Sequence, residues 1–430
     1  MGKTIKFHSF IEFNKKAVFL LASAFLLVNL ILQFQFFNYF FLNPNGNGDE
    51  TGYVYVVSNL KSFDLSNISS LNAQPFTFVC FFFNQIFDNP KFTIRFVSLI
   101  SSLLSFTFVI NYYQKNKFCK LVGDNKFVNN LVLFSLFFGI FFIASNHFVG
   151  SSDAFSVALA VPGFILLTEN LLNNKRHHFL LIGLLFALSF TSRPTFIFVL
   201  VAYLISFAVF FPKQIFSRKL ILVGSSFVFF TSLINFSPLL NSGKLILDVK
   251  EIPKELGTSW FEMNYLMAKK WDAGEIPNTQ WLSAYDVIAF KKQNPDFVFP
   301  KNHLDILKND TGLFFRQMAR MFILAMYSSF RYMYFLFPFL LFYAFFKKKR
   351  ENHLELKKAY FTVSFYFISL LLFMIYAFKL MEFRWMNILL VFYTFYAIDF
   401  SKGISNEKRI VLFNSVFVVG ILFFILKMLK

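Results

Sequence analysis

Gly48-Asp49-Glu50-Thr51-Gly52-Tyr53 sets two adjacent carboxylates just past the first long apolar segment of the chain. A carboxylate within reach of a hydroxyl can take its proton, and a second carboxylate close by raises the proton affinity of the pair. Arg95, Arg193 and Arg384 stand apart from the other cationic residues. Their guanidinium groups are permanently charged and planar, which suits bidentate contact with phosphoryl oxygens. His147, Asp153 and Glu382 complete the set of polar residues beside apolar runs. The sequence has no tight Asp-x-Asp and no histidine cluster, so its spacing assigns no metal site and a divalent cation stays open as a cofactor.

Each of these residues also has a plain structural reading. Asp49 and Glu50 among Gly46, Gly48 and Gly52 fit a solvated turn. Ser151-Ser152-Asp153 fits a helix start, where an acidic side chain complements the helix dipole. Arg193 before Pro194 fits an interfacial anchor, Glu382 and Arg384 could pair with each other, and His147 fits a polar cap. Position in the topology decides between the two sets of readings.

The chain has 430 residues, 57% apolar and 21% aromatic, with mean hydropathy +0.56, outside the range of soluble domains. The sequence is therefore read as a polytopic membrane protein. Its 71 phenylalanines are taken as the default lipid-facing residue rather than as a binding code. The formal charge of +19 falls mostly in short clusters between apolar segments, the positive-inside pattern, so no nucleic-acid partner is expected. Cys80 and Cys119 are the two cysteines, far apart and expected on opposite sides of the bilayer, which suggests neither a disulfide framework nor a thiol metal site.

The clusters at Lys115/Lys117/Lys120/Lys126, Lys175/Arg176, Lys213/Arg218/Lys219, 347–350 with Lys357/Lys358, and Lys402/Lys408/Arg409 mark cytoplasmic turns. An even number of crossings must separate successive clusters. Spans at about 17–37, 92–113, 127–146, 154–172, 179–192, 194–211, 220–240, 332–346, 359–378, 386–400 and 410–426 satisfy that condition. The first reads as an uncleaved signal anchor with its N-terminus inside, and the C-terminus then lies outside. The 75–87 stretch is too short to span and reads as an interfacial or re-entrant segment. The 314–330 stretch is interrupted by Arg316 and Arg320 and reads as an interfacial helix, because a crossing there would break the parity.

The expected fold is all-α and polytopic, with about 11 transmembrane helices, outer-side juxtamembrane helices and one larger outer loop. Residues 1–240 form an N-terminal transmembrane module carrying a first outer loop at about 38–91, 241–331 an outer-side loop region, and 332–430 the C-terminal helices. Charges at membrane depth cost about 2.5–3.5 kcal/mol each on insertion scales, so those kept there tend to face a cavity and to be functional. In this topology Asp49/Glu50, His147/Asp153, Arg193 and Glu382/Arg384 come from four separate loops on one face. That pattern suits an active site at the membrane surface.

Taken in order, these segments resemble the GT-C superfamily of integral-membrane glycosyltransferases, which use lipid-linked sugars. Asp49-Glu50 with Tyr53 is similar to the acidic motif in the first outer loop of protein O-mannosyltransferases and lipid A aminoarabinose transferases. Gln74-Pro75-Phe76, followed by Phe92-Thr93-Ile94-Arg95-Phe96-Val97-Ser98, resembles the superfamily's run from a Pro-containing short helix to an F-x-x-R-x-x-S span start. Ser192-Arg193-Pro194-Thr195 and Glu382-Phe383-Arg384-Trp385 are similar to elements of the GPI-anchor and N-glycan mannosyltransferases.

The resemblance implies a mannosyltransferase-like enzyme in the bacterial inner membrane with its active site on the outer face. It would take a polyprenyl-phosphate sugar donor and a lipid, glycan or protein acceptor, among membrane lipids. Asp49 would be the general base and Glu50 would orient it. Arg193, Arg384 and Arg95 would contact the phosphate, with Asp153, Glu382 and His147 beside the substrates. Two other classes stand against this reading. A transporter or flippase would place its key charges near the midplane of repeated halves. A polysaccharide polymerase or assembly protein would tolerate loss of Asp49.

Overall fold

A computed structural model describes residues 2–43, 49–60, 73–117, 121–142, 147–173, 178–243, 245, 254–277, 280–346, 353–378 and 383–428. The side chain of Asp49, all of Glu382 and Cys119, and the cationic clusters at 175–176 and 347–350 lie outside the described residues. Regular structure among the described residues is helical throughout. In chain order the helices are α1 (Gly2–Phe36), α2 (Asp49–Asn59), α3 (Gln74–Phe87), α4 (Pro90–Lys117), α5 (Lys126–Phe142), α6 (Ser152–Leu172), α7 (Phe179–Ser192), α8 (Phe196–Phe210) and α9 (Arg218–Ile234). They continue as α10 (Phe236–Ser242), α11 (Trp260–Asp272), α12 (Ala284–Gln293), α13 (His303–Asn309), α14 (Thr311–Met333), α15 (Leu336–Phe346), α16 (His353–Ala377), α17 (Asn387–Ser401) and α18 (Asn406–Met428).

Five of these, α1, α4, α6, α16 and α18, contain segments long and apolar enough to cross a membrane, and α5, α7, α8, α15 and α17 are shorter apolar helices. The chain is a polytopic, all-helical integral membrane protein, as its composition predicts.

The bundle is built around α17, whose side chains from Ile388 to Ile398 are buried on every face. A helix that is apolar all round can only sit inside others. Phe392 on α17 lies 5.1–6.5 Å, ring centre to ring centre, from Phe164, Tyr203, Phe361 and Phe365 on three neighbouring helices. Phenylalanine is thus a principal core residue here, which corrects its reading as mainly lipid-facing. Tilted and edge-to-face ring pairs fill the gaps between helices and add attraction beyond the area they bury.

The two ends of the bundle differ in chemistry. Lys219 Nζ donates to Asn170 O at 2.9 Å, Lys358 Nζ to Asn173 Oδ1 at 2.7 Å, and Arg409 Nε to Leu121 O at 2.6 Å. The C-terminal end of α6 is therefore held by two lysines. Its N-terminal end carries Asp153, sixteen residues from Glu169 and so about 24 Å away along the axis at 1.5 Å per residue.

Beyond the Asp153 end, α11, α12, α13 and the start of α14 share a small apolar core of Leu266, Met267, Val287, Ile306 and Leu313, joined by Phe378 from the end of α16. Ser259 with Glu262, and Ser283 with Asp286, form reciprocal capping boxes that start α11 and α12. The hydrogen bond from Arg316 holds the Asp272 carboxyl below the usual carboxylate range, with Arg320 on its other oxygen.

One helix departs from the sequence expectation. The 314–330 stretch does not stop at the surface of the bundle: α14 continues inward along a buried stripe of Gln317, Met321, Ala325, Ser329 and Met333. The Ser329 hydroxyl bonds that of Tyr366, and Tyr334, at φ 50°, stacks edge-on against Phe25 midway along α1. From there α15 carries the chain to Tyr343, 5.4 Å from Phe400 at the cationic end. The eleven apolar residues of α15 thus continue from the lower half of α14, which packs within the bundle. Arg316 and Arg320 are accommodated because they lie in its first turns, paired with Asp272 outside the bundle.

Candidate functional site

Pro194 restricts the residue before it to extended backbone, and Arg193 accordingly ends α7 at φ −148°, ψ 101°. That turn places its guanidinium beside the first turn of α6, where Nε lies 2.8 Å from Asp153 Oδ1. Arg384 arrives from the other side on a short 3-10 turn, Phe383–Met386, that leads into α17, and its Nη1 lies 3.1 Å from Asp153 Oδ2. Both approaches are ion pairs by distance. Asp153 is only 4% exposed. Residues separated by up to 231 positions thus meet on one carboxylate, where two guanidinium groups offset its desolvation.

A second ion pair lies alongside. Arg95 on α4 donates from Nε to Glu50 Oε1 at 2.5 Å and from Nη2 to Glu50 Oε2 at 2.9 Å. Its Nη1 donates to the carbonyls of Phe41 and Asn43 at 2.7 and 2.8 Å. Glu50 is fully buried. This bidentate pair fixes α2, and with it the backbone of Asp49, against the end of α1 and the first turns of α4. Arg95 is brought to Glu50 and not to the Arg193–Asp153–Arg384 cluster.

The segment from Gly150 to Asp153 joins the two clusters. Gly150 N donates to Glu50 Oε1 at 3.3 Å, the Tyr53 and Ser152 hydroxyls share a 2.9 Å hydrogen bond, and Ser98 Oγ donates to Ser151 O at 3.1 Å. His147, just upstream, places Nε2 2.7 Å from Gln33 Oε1, while Gln33 donates to the carbonyl of Phe142. The clefts between these groups narrow to a cavity of about 10 Å³, lined by Ser102, Ser105, His147, Asp153, Arg384 and Asn387. That is room for about one water molecule. Among the described residues no group of three or more His, Cys, Asp or Glu side chains converges.

Gly150 and Gln33 were not singled out from the sequence, and Ser98, Ser151 and Ser152 entered that reading only as parts of a motif and a helix start. Gln33 could have been, as an amide inside an apolar run. Gly150 could not, because its role is steric: an added Cβ would stand 2.4 Å from Ile94 Cγ1 and 3.1 Å from Ile94 Cβ. Gly150→Ala should push the segment off α4, break its bond to Glu50 and lower any activity of the site about tenfold or more, since misplacing reacting groups by about 1 Å can cost 10²-fold. Activity at the wild-type level in Gly150→Ala would show that the segment does not set the geometry.

Buried ion pairs are thus gathered at one end of the helical bundle, beside the helix α2 that bears Glu50. Residues 75–240 match the model of the dolichyl-phosphate-mannose-protein mannosyltransferase family, which belongs to the GT-C glycosyltransferase superfamily. At that level the resemblance read from the motifs holds, and glycosyltransferase activity is indicated by the family as a whole. The matched stretch contains Arg95, His147, Asp153 and Arg193 and leaves Asp49, Glu50 and Arg384 outside it. No curated protein and no solved structure matches the chain.

Proposed function

We propose that the protein transfers a sugar from a polyprenyl-phosphate donor to a hydroxyl of a lipid, glycan or protein acceptor, with inversion, at the outer face of a bacterial inner membrane. The observation that carries this reading is the 150–153 segment, which touches the Asp49–Glu50 helix on one side and holds Arg193 and Arg384 on the other. Asp49 accepts the acceptor's proton as the acceptor oxygen attacks the anomeric carbon. The bond from that carbon to the phosphate oxygen breaks on the opposite face, and the electron pair leaves with the polyprenyl phosphate. Arg193 and Arg384 receive the charge.

In the resting arrangement Asp153 occupies both arginines and the cavity has room for about one water, so donor binding must widen the site. The phosphate replaces the Asp153 carboxylate on at least one guanidinium, and Asp153 serves as the positioning residue that keeps the pair preorganised until then. Glu50 and Arg95 carry no proton in this scheme. They position α2, which departs from a phosphate-binding role for Arg95.

The test is transfer from a panel of radiolabelled polyprenyl-phosphate sugars to a membrane lipid extract by the purified chain. Product of inverted configuration from one donor is the expected result. Folded protein that transfers from no donor to lipid, glycan or peptide acceptors would return the transporter and assembly readings.

A further inference from the structure

We propose that Ser156 and Ser189 are positioning residues for the reaction proposed above: their side chains form a hydrogen-bonded clasp between α6 and α7 that sets where Arg193 stands relative to Asp153. The role rests on the glycosyltransferase reading, and the geometry behind it does not. The two hydroxyl oxygens lie 2.7 Å apart, Ser189 Oγ donates to Ser156 O at 3.0 Å, and Ser156 Oγ donates to Ser189 O at 3.2 Å. Two protons thus serve three contacts, so each hydroxyl always finds an acceptor on the other helix. Both residues are buried, out of reach of competing water.

Spacing along the two helices puts the clasp one turn below the ion pair. Ser156 follows Asp153 by three residues on α6, and Ser189 precedes Arg193 by four at the end of α7. Residues three or four apart share one face of a helix. A direct link strengthens this placement. The backbone N–H of Arg193, which closes α7, donates to Ser189 O at 2.9 Å. That carbonyl is the same one that Ser156 Oγ bonds from α6, so the turn presenting the Arg193 guanidinium is tied to α6 through a single oxygen.

Farther along the same seam Phe186 packs against Gly163, where an added Cβ would stand 2.5 Å from Phe186 Cε1. That contact sets how closely the helices approach. The hydroxyl pair sets how far one slides along the other, because hydrogen bonds weaken steeply as distance and angle depart from ideal. A slide of α7 by a fraction of its 1.5 Å rise per residue would draw the Arg193 guanidinium off Asp153 Oδ1. Arg384 reaches Asp153 Oδ2 from a different element and would stay. The clasp thus governs one of the two guanidinium groups that receive the donor phosphate.

The experiment compares Ser156→Ala/Ser189→Ala with Ser226→Ala in the full chain purified in detergent. Ser226 Oγ donates to Leu180 O at 3.1 Å, a hydroxyl bond from α9 to the opposite end of α7, so Ser226→Ala controls for the loss of an interhelical hydroxyl. The double variant should lower donor kcat/KM about tenfold, a fraction of the 10²-fold that a 1 Å misplacement can cost, with acceptor KM within about twofold of wild type. Ser226→Ala should leave both constants unchanged. Wild-type donor kcat/KM in the double variant would overturn the proposal, as would an equal loss in Ser226→Ala. A second measurement needs no turnover: Arg193→Met should lower the melting temperature at most about half as much in the double-variant background as in the wild type, because the effects of coupled residues do not add. Additive shifts would overturn the clasp's hold on Arg193. A wild type that transfers from no donor, with the shifts non-additive, would discard the glycosyltransferase reading and keep the clasp as the device that places Arg193.

Discussion

Asp49→Asn is expected to lower sugar transfer by about 10²–10⁴-fold, the usual worth of a positioned general base, while leaving the amount of folded protein unchanged. The position of α2 is set by its neighbours. Glu50 is clamped by Arg95, and Tyr53 by Ser152, and neither contact involves the Asp49 side chain. Asparagine has nearly the same shape and can begin a helix as aspartate does, so the variant removes the proton acceptor and little else.

The loss should fall on kcat more than on KM, because the interaction is gained as the acceptor oxygen develops charge. The limb of the pH profile that reports deprotonation of the base should disappear with it. The other carboxylates described at this end are poor substitutes, since Glu50 is held bidentately by Arg95 and both oxygens of Asp153 face guanidinium groups. Transfer by Asp49→Asn within about threefold of wild type, less than any general-base contribution, would remove it from this role and leave Asp153 or Glu382 to be tried in turn.

The polytopic helical bundle was legible in the sequence, where two independent signals bear on it. Apolar length fixes where a crossing can lie, and cationic clusters fix which end is which. The exception is α14, where Arg316 and Arg320 interrupt the pattern in the first turns and hide a helix that later enters the bundle. A hydropathy window averages over both halves. A buried stripe at helical spacing, Met321, Ala325 and Ser329, carried the information that the average lost.

Within the site, the participants were legible as residue types and their pairing was not. Charges near apolar segments stand out, so Glu50, Arg95, Asp153, Arg193 and Arg384 were all named from the sequence. Nothing in the spacing says that Arg95 reaches back to Glu50 while Arg193 and Arg384 share Asp153. Those choices depend on how helix ends far apart in the chain are packed together, and on neutral groups such as Gly150 and Ser98 that carry no charge to notice.

Arg95→Met is expected to destabilise the folded protein by about 3–5 kcal/mol, the cost of leaving a buried charge without its partner. Glu50 is fully enclosed, so no water can take over from the guanidinium. The same substitution frees the carbonyls of Phe41 and Asn43, which hold the end of α1 to α4. Glu50→Gln should be milder, because the amide oxygen can still accept from Arg95 and the chain ends stay tied.

The pair of variants separates two roles that one activity assay would confuse. If Arg95 positions α2, Arg95→Met should lower thermal stability in detergent and transfer together, and the double variant Glu50→Leu/Arg95→Met should recover stability, since replacing both charges by apolar groups of similar size is often neutral. Transfer should not recover with it, because the helix that presents Asp49 has lost its bidentate anchor. A wild-type melting temperature in Arg95→Met, with donor KM alone raised, would instead mean that the guanidinium leaves Glu50 for the donor phosphate, and the pair seen here would be a resting state broken in each turnover.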